Sequence, residues 1–110
     1  MGFVKYDLVV TMEHSTVLVF DKPVVLQPCT HQVLLFLAAN ARRVVSVGEL
    51  YQYVWGRHGR VVEPGQLSLQ IGLLRRVGLP IVTYPKYGFS LMLAASRVRV
   101  LKPKPVRTSP

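Results

Sequence analysis

Residues 66–76 read QLSLQIGLLRR, and this stretch decides which fold the chain adopts. Over the first eight positions, leucine or isoleucine alternates with a polar or small residue, which is typical of a half-buried strand. The same stretch places Leu67, Ile71 and Leu74 on one face of a helix, and it ends in Arg75 and Arg76. The pattern alone fits a strand, a core helix and a helix that contacts something outside the protein, so the neighbouring segments must decide.

The length of the chain, 110 residues, is that of one small domain. Its 50% content of hydrophobic residues argues against a disordered chain. No apolar run approaches the roughly 18 residues that a membrane-spanning helix needs. The first residues do not resemble a secretory signal. We therefore expect a cytoplasmic protein.

The charge of the chain is strongly positive and unevenly distributed. Fourteen Lys and Arg against five Asp and Glu give a net charge of +9. Residues 1–63 hold six basic and five acidic side chains, a net of +1, whereas residues 64–110 hold eight basic side chains and no acidic one, a net of +8. This asymmetry favours a nucleic-acid partner, because Lys and Arg that neutralise phosphates release counterions. A solvated basic tail or an RNA-associated basic protein would show the same bias.

Residues with catalytic or metal-binding chemistry are few and scattered. Cys29 is the only cysteine, so no intramolecular disulfide can form, which fits a reducing compartment. His14, His31 and His58 have no cysteine or carboxylate at metal-ligand spacing. No phosphate-binding glycine loop is present. The sequence therefore predicts no catalytic residues, no metal, no cofactor and no enzymatic activity.

Local signals divide the rest of the chain into short elements. Three N-terminal strands joined by turns are predicted at residues 3–11, 16–20 and 24–26. A helix follows from Pro28, which suits a first turn, to a terminator at Asn40, and residues 44–45 form a bridging strand. A capping box of Ser46 and Glu49 starts a second helix that ends at Gly56.

A hairpin and a basic tail complete the chain. Residues 78–80 (GLP) must end the disputed segment, and residues 81–84 and 89–93 form a β-hairpin. We expect a domain over residues 1–95 and a basic, Pro-rich tail over residues 96–110, part of it disordered. The alternating residues at the start of that tail would suit one more strand.

This order of elements, with a third helix followed by a hairpin, is that of a winged helix-turn-helix. The sequence resembles the OmpR/PhoB-type DNA-binding domain over residues 6–93. The matching residues are Leu26-Gln27-Pro28, Leu34-Leu35, Arg43-Val44-Val45-Ser46, Glu49-Leu50, Val54-Trp55-Gly56, Val62-Glu63, Leu67, Ile71, Leu74-Arg75-Arg76, Thr83 and Gly88-Phe89. The hairpin sequence TYPKYGF, residues 83–89, is most similar to the wing of the ToxR/CadC-like subgroup.

The resemblance implies an α+β fold with an N-terminal four-stranded antiparallel sheet, three helices and a C-terminal wing. It also implies a bacterial transcriptional regulator that binds double-stranded promoter DNA. The third helix, residues 66–77, would enter the major groove, and the wing, residues 81–93, would lie on the adjacent backbone or minor groove. RNA polymerase, and a second copy bound as a homodimer or in tandem on DNA, are further partners that the family suggests.

With the resemblance, the disputed stretch is predicted to be a helix. Leu67, Ile71 and Leu74 would then pack on Leu50, Val54 and Trp55 of the second helix. Trp55 is expected in the core rather than in a ligand site, and His31 is expected to be partly buried.

The candidate DNA-contacting residues follow from their positions in the third helix, the wing and the basic loop before the helix. They are Ser68, Leu69, Gln70, Gly72, Leu73, Arg75, Arg76, Lys86, Arg57 and Arg60. Gln70 would contact adenine and Leu69 a thymine methyl group. Arg75 and Arg76 would contact phosphates or guanine. The alternative for the basic residues is that they are simply solvated, as basic residues often are near a helix C-terminus.

Two of these positions depart from the PhoB-like branch, in which the residues that match Gly72 and Leu73 are commonly arginine. Leu69 and Leu73 would form an exposed apolar pair, and such pairs often mark a protein interface. The alternative function is therefore a winged-helix protein-interaction module, an adaptor or antagonist of another regulator.

Overall fold

The computed structural model describes residues 6–56 and 65–101. In chain order the elements are β1 (Leu8–Thr11), β2 (Thr16–Val19), β3 (Lys22–Val25), α1 (Pro28–Ala39), β4 (Val45–Ser46), α2 (Val47–Val54), α3 (Gln66–Arg76), β5 (Ile81–Tyr84), β6 (Gly88–Leu91) and β7 (Val98–Leu101). A short 3-10 helix, Ala95–Arg97, precedes β7. This α+β arrangement confirms the expected winged helix-turn-helix class.

The larger sheet has the strand order β3-β2-β1-β7. Its first three strands form the expected antiparallel meander, but the fourth strand comes from the C-terminal part of the chain. β7 pairs in parallel with β1, with Leu8 opposite Val98 and Thr11 opposite Leu101. The start of the expected tail therefore supplies the fourth strand, as its alternating residues suggested, but this strand pairs in parallel and not in the expected antiparallel direction.

The helix boundaries follow the local signals. Pro28 occupies the first turn of α1, and the chain leaves α1 at Asn40, whose side-chain amide donates to the Phe36 carbonyl at 2.8 Å. The Ser46 hydroxyl accepts the Glu49 backbone N–H at 3.1 Å, so the capping hydrogen bond at the start of α2 is present. Residues 66–76 form a helix and not a strand.

α1 lies at the centre of the core and packs against α2, α3 and both sheets. The apolar stripe of α3, formed by Leu67, Ile71 and Leu74, is buried as expected. α3 packs chiefly against α1, and Leu50 and Trp55 belong to the same buried cluster as the stripe, with Val54 packed against that cluster. His31 of α1 is also buried, and its Nε2 lies 2.7 Å from the Thr11 carbonyl oxygen, which ties α1 to the larger sheet.

The smaller sheet has the order β4-β6-β5 and forms the wing. β6 lies so close to its antiparallel neighbour β4 at Gly88 that a Cβ atom there would lie 1.8 Å from the Val45 carbonyl oxygen. Only glycine fits at this position, which explains the glycine in the hairpin motif. Within residues 6–56 and 65–101, no helix is both long and apolar enough to cross a membrane.

Candidate nucleic-acid interface

α3 has one buried face and one outward face. Leu69, Gly72 and Arg76, spaced three and four residues apart, line the outward face and are here called the outer ridge of α3. Leu69 is 54% exposed, and Arg76 is also exposed. Ser68, which is exposed, and Leu73, which is half-buried, flank this ridge. The exposed apolar surface expected from Leu69 and Leu73 therefore comes mainly from Leu69, because Leu73 is half-buried.

Gln70 does not lie on the outward face, contrary to the sequence expectation. Its side chain is only 5% exposed, and its amide oxygen accepts a hydrogen bond from the Thr30 hydroxyl of α1. The helical period explains this orientation: at about 100° per residue, Gln70 lies about 60° from Leu67 and about 40° from Leu74, both of which are buried. In this conformation Gln70 connects α3 to α1 and has no access to a base edge.

Arg75 leaves the end of α3 and bonds to the wing. Its Nε donates to the Ile81 carbonyl oxygen at 3.0 Å, and an Nη nitrogen donates to the Thr83 hydroxyl at 2.5 Å. The side chain thus spans from α3 to β5 and fixes the wing beside the helix. From the sequence, we expect Arg75 to contact a phosphate or guanine. Its hydrogen bonds to the wing are an additional role, which the spacing of residues along the sequence does not reveal.

The tip of the wing is exposed. Lys86 adopts a left-handed backbone conformation, with φ of 63°, at the turn between β5 and β6. The neighbouring Tyr84 and Tyr87 are also exposed. The Tyr87 carbonyl accepts the Val47 backbone N–H at 3.1 Å, which anchors the turn to the start of α2.

All the charged side chains in the segment that contains α3, the hairpin and β7 are basic. Residues 65–101 contain five basic side chains and no carboxylate. Of the basic residues expected to contact DNA, Arg75, Arg76 and Lys86 are exposed, and Arg75 also donates to Ile81 of the wing. Arg57 and Arg60 lie outside the described residues. Among the described residues there is no cluster of side chains suited to hold a metal ion.

A helix whose outward face is exposed and basic at its end, followed by a hairpin fixed against it, defines a winged-helix nucleic-acid-binding domain. The family model described as "Transcriptional regulatory protein, C terminal" matches residues 21–90. The chain therefore belongs to this family of DNA-binding domains of bacterial transcriptional regulators. This confirms the OmpR/PhoB-type resemblance and the expected function in transcription regulation.

Solved structures show the same fold. The DNA-binding domain of CadC from Escherichia coli is 26% identical, with a TM-score of 0.62, and the match covers 73% of this chain and 80% of that one. The C-terminal domain of the nisin resistance regulator NsrR is 23% identical, with a TM-score of 0.64 and coverages of 82% and 96%. The DNA-binding domain of CpxR from E. coli is 21% identical, with a TM-score of 0.57 and coverages of 84% and 97%. Among curated protein sequences, none matches this chain significantly.

Proposed function

We propose that the chain regulates transcription by placing α3 in the major groove of double-stranded promoter DNA, with the wing on the adjacent backbone or minor groove. The observation that carries this proposal is the pair of hydrogen bonds from Arg75 to Ile81 and Thr83. They hold the exposed face of α3 and the wing in one fixed relation, as a protein needs if both elements are to contact one duplex.

The roles of the candidate residues follow from their exposure. Arg76 and Lys86 are exposed cations and contact phosphates, which supply affinity and register. Ser68 and Leu69 lie in the first turns of α3, which in helix-turn-helix proteins approach base edges. Arg75 contributes chiefly by supporting the wing, with further N–H groups left to reach a phosphate.

Further parts of the proposal concern the whole domain. The protein acts in the cytoplasm on chromosomal DNA, has no enzymatic activity, and carries a basic tail beyond β7. A second copy, bound as a homodimer or in tandem, would double the number of phosphate contacts and thereby raise the overall affinity. Bound at a promoter, the domain would also lie within reach of RNA polymerase.

The alternative, a winged-helix module that binds another protein through Leu69 and Leu73, has less support. Leu73 is half-buried, so the apolar surface that it shares with Leu69 is small. An isolated exposed leucine on a protein surface needs no partner to explain it. The family that the chain belongs to consists of DNA-binding domains.

A salt-dependent DNA-binding titration tests the proposal. We expect the logarithm of the affinity to fall linearly with the logarithm of salt concentration, and Arg76→Ala and Lys86→Ala each to reduce the slope by about one. Arg99→Ala is the matched control: it removes the same charge from β7, where Arg99 lies over the Tyr6 ring, away from α3 and the wing. It should leave the slope unchanged.

Two results would contradict the proposal. The first is an absence of binding to any duplex at low salt by the folded protein. The second is an equal loss of slope in Arg99→Ala and Arg76→Ala, because a diffuse electrostatic attraction would then replace the proposed interface.

A further inference from the structure

The outer ridge of α3 carries little hydrogen-bonding capacity at its centre. Leu69 has an apolar side chain and Gly72 has none, and Arg76 follows only in the last turn of the helix. Ser68, beside the ridge, has a hydroxyl that serves equally as donor and acceptor and therefore discriminates weakly between bases. The most exposed large hydrophobic side chain on this face is Leu69, which is 54% exposed.

Two polar side chains of α3 that have the right shape to contact a base, Gln70 and Arg75, already make hydrogen bonds within the protein. Gln70, whose amide would suit adenine, accepts the Thr30 hydroxyl within the core. Arg75, whose guanidinium would suit guanine, donates to Ile81 and Thr83 of the wing. Within α3, the middle of the outward face therefore has no side chain that makes the bidentate contacts by which guanine and adenine are usually recognised.

Apolar contact is the remaining mode of direct readout in the major groove, and the thymine C5-methyl group is the apolar group that natural base pairs present there. We infer that Leu69 is a specificity-determining residue that recognises thymine through this methyl group, so that the domain prefers thymine at one or two positions of its site. The inference rests on the proposed function, since it requires α3 to lie in the major groove.

Gly72 supports this contact sterically. A Cβ atom at Gly72 would meet no atom within 4 Å, so the surface beside Leu69 is open. The absence of a side chain one helical turn after Leu69 lets the helix approach the base edges closely, which a short apolar contact requires. An arginine at this position would hold the helix at a distance set by its phosphate or guanine contact.

Replacement of thymine by uracil tests the inference, because uracil keeps every hydrogen-bonding group of thymine and lacks only the methyl. A binding site is first selected from a pool of random duplexes, and each thymine in it is then replaced singly by deoxyuridine. We expect a loss of about fourfold in affinity at one or two positions, which corresponds to the burial of one methyl group. At those positions Leu69→Ala should bind thymine and uracil equally well.

The matched control is Leu18→Ala, which makes the same truncation at a side chain that is 40% exposed on β2, outside α3 and the wing. It should retain the full discrimination between thymine and uracil. Both leucines are exposed, so both variants should fold, which circular dichroism verifies.

Three outcomes would overturn the inference, and they separate it from the proposed function. Binding to duplex DNA with no enriched site, or with no effect of any uracil, would leave DNA binding standing and remove the role of Leu69. An undiminished uracil penalty in Leu69→Ala would assign the methyl contact to another residue. A failure to bind any duplex would overturn the proposed function and the inference with it.

Discussion

The hydrogen bond between Thr30 of α1 and Gln70 of α3 can be removed by substitution to test what stabilises the packing of α3 on α1. Both side chains are buried, with 2% of Thr30 and 5% of Gln70 exposed, and the Thr30 hydroxyl donates to the Gln70 amide oxygen. The perturbations are Gln70→Leu and Thr30→Val, singly and together. Each replacement is close to the native side chain in volume, so that the hydrogen bond is removed with little change in packing.

The magnitude follows from burial. A buried polar group that loses its partner costs about 1–3 kcal/mol, so each single variant should lower the free energy of unfolding by that amount. Replacement of both partners by apolar groups of similar shape leaves no unpaired group and is nearly neutral. The double variant should therefore be close to the wild type in stability, so that the coupling energy is about the sum of the two single effects, roughly 2–6 kcal/mol.

Urea denaturation measures these free energies by linear extrapolation. The control is Gln52→Leu, the same substitution on the exposed surface of α2, which should change stability by less than about 0.5 kcal/mol. If Gln70→Leu costs no more than Gln52→Leu, or if the two single effects simply add, the buried hydrogen bond does not stabilise the packing of α3 on α1.

The same variants address DNA recognition. Since Gln70 faces the core, the Thr30→Val, Gln70→Leu double variant should keep every preference for adenine that the wild type shows at the selected DNA site. A stable double variant that has lost its preference for adenine at one position would mean that Gln70 reads DNA, as its position in the sequence first indicated.

Four further substitutions, one of them a control, test local features of the fold by urea denaturation. Ser46→Ala removes the cap of α2 and should lower the free energy of unfolding by about 1 kcal/mol. Gly88→Ala forces a Cβ atom against the Val45 carbonyl and should lower it by about 3 kcal/mol, with the wing the first part to lose amide protection in hydrogen exchange. Gly72→Ala fills open space in the middle of a helix and should raise the free energy of unfolding by about 0.5–1 kcal/mol. Gly48→Ala in α2 is the control and should have the same effect. If Gly72→Ala alone lowers the stability, the surface beside Leu69 is not open.

The elements that could be predicted from the sequence are those whose determinants are local. The capping hydrogen bond joins Ser46 and Glu49, only three residues apart, so both partners are visible in one short motif. Pro28 and Asn40 bound α1 through backbone preferences that do not depend on the rest of the fold. Local signals alone could not decide the structure of residues 66–76, because strand-like and helical patterns coexist there. The resemblance to a family decided in favour of a helix.

The pairing of β7 with β1 could not be predicted in the same way. Residues 98–101 (VRVL) alternate as a strand does, but alternation indicates which face of a strand is buried and not which strand lies beside it. The partners Leu8 and Val98 are ninety residues apart in the sequence, and α1 packs against both of their strands.

The position of Gln70 was predicted wrongly for a different reason. The glutamine amide has the shape to contact adenine, and that chemical suitability outweighed the helical period, which places residue 70 at the edge of the buried face, within about 60° of Leu67 and Leu74. A buried glutamine needs a partner, and the hydroxyl of Thr30 on the facing helix supplies it. Periodicity should decide the direction of a side chain before its chemistry is considered.

The two engaged polar residues of α3 suggest how base preference and geometry are connected. The Thr30–Gln70 hydrogen bond fixes the rotation of α3 on α1, and the Arg75 contacts fix the wing relative to α3. If α3 lies in the major groove as proposed, the position of Leu69 in that groove is then set by the backbone of α3. A single apolar contact is worth little unless it is held in place. It follows that Arg75→Ala should weaken the preference for thymine over uracil even though Arg75 does not touch the methyl group.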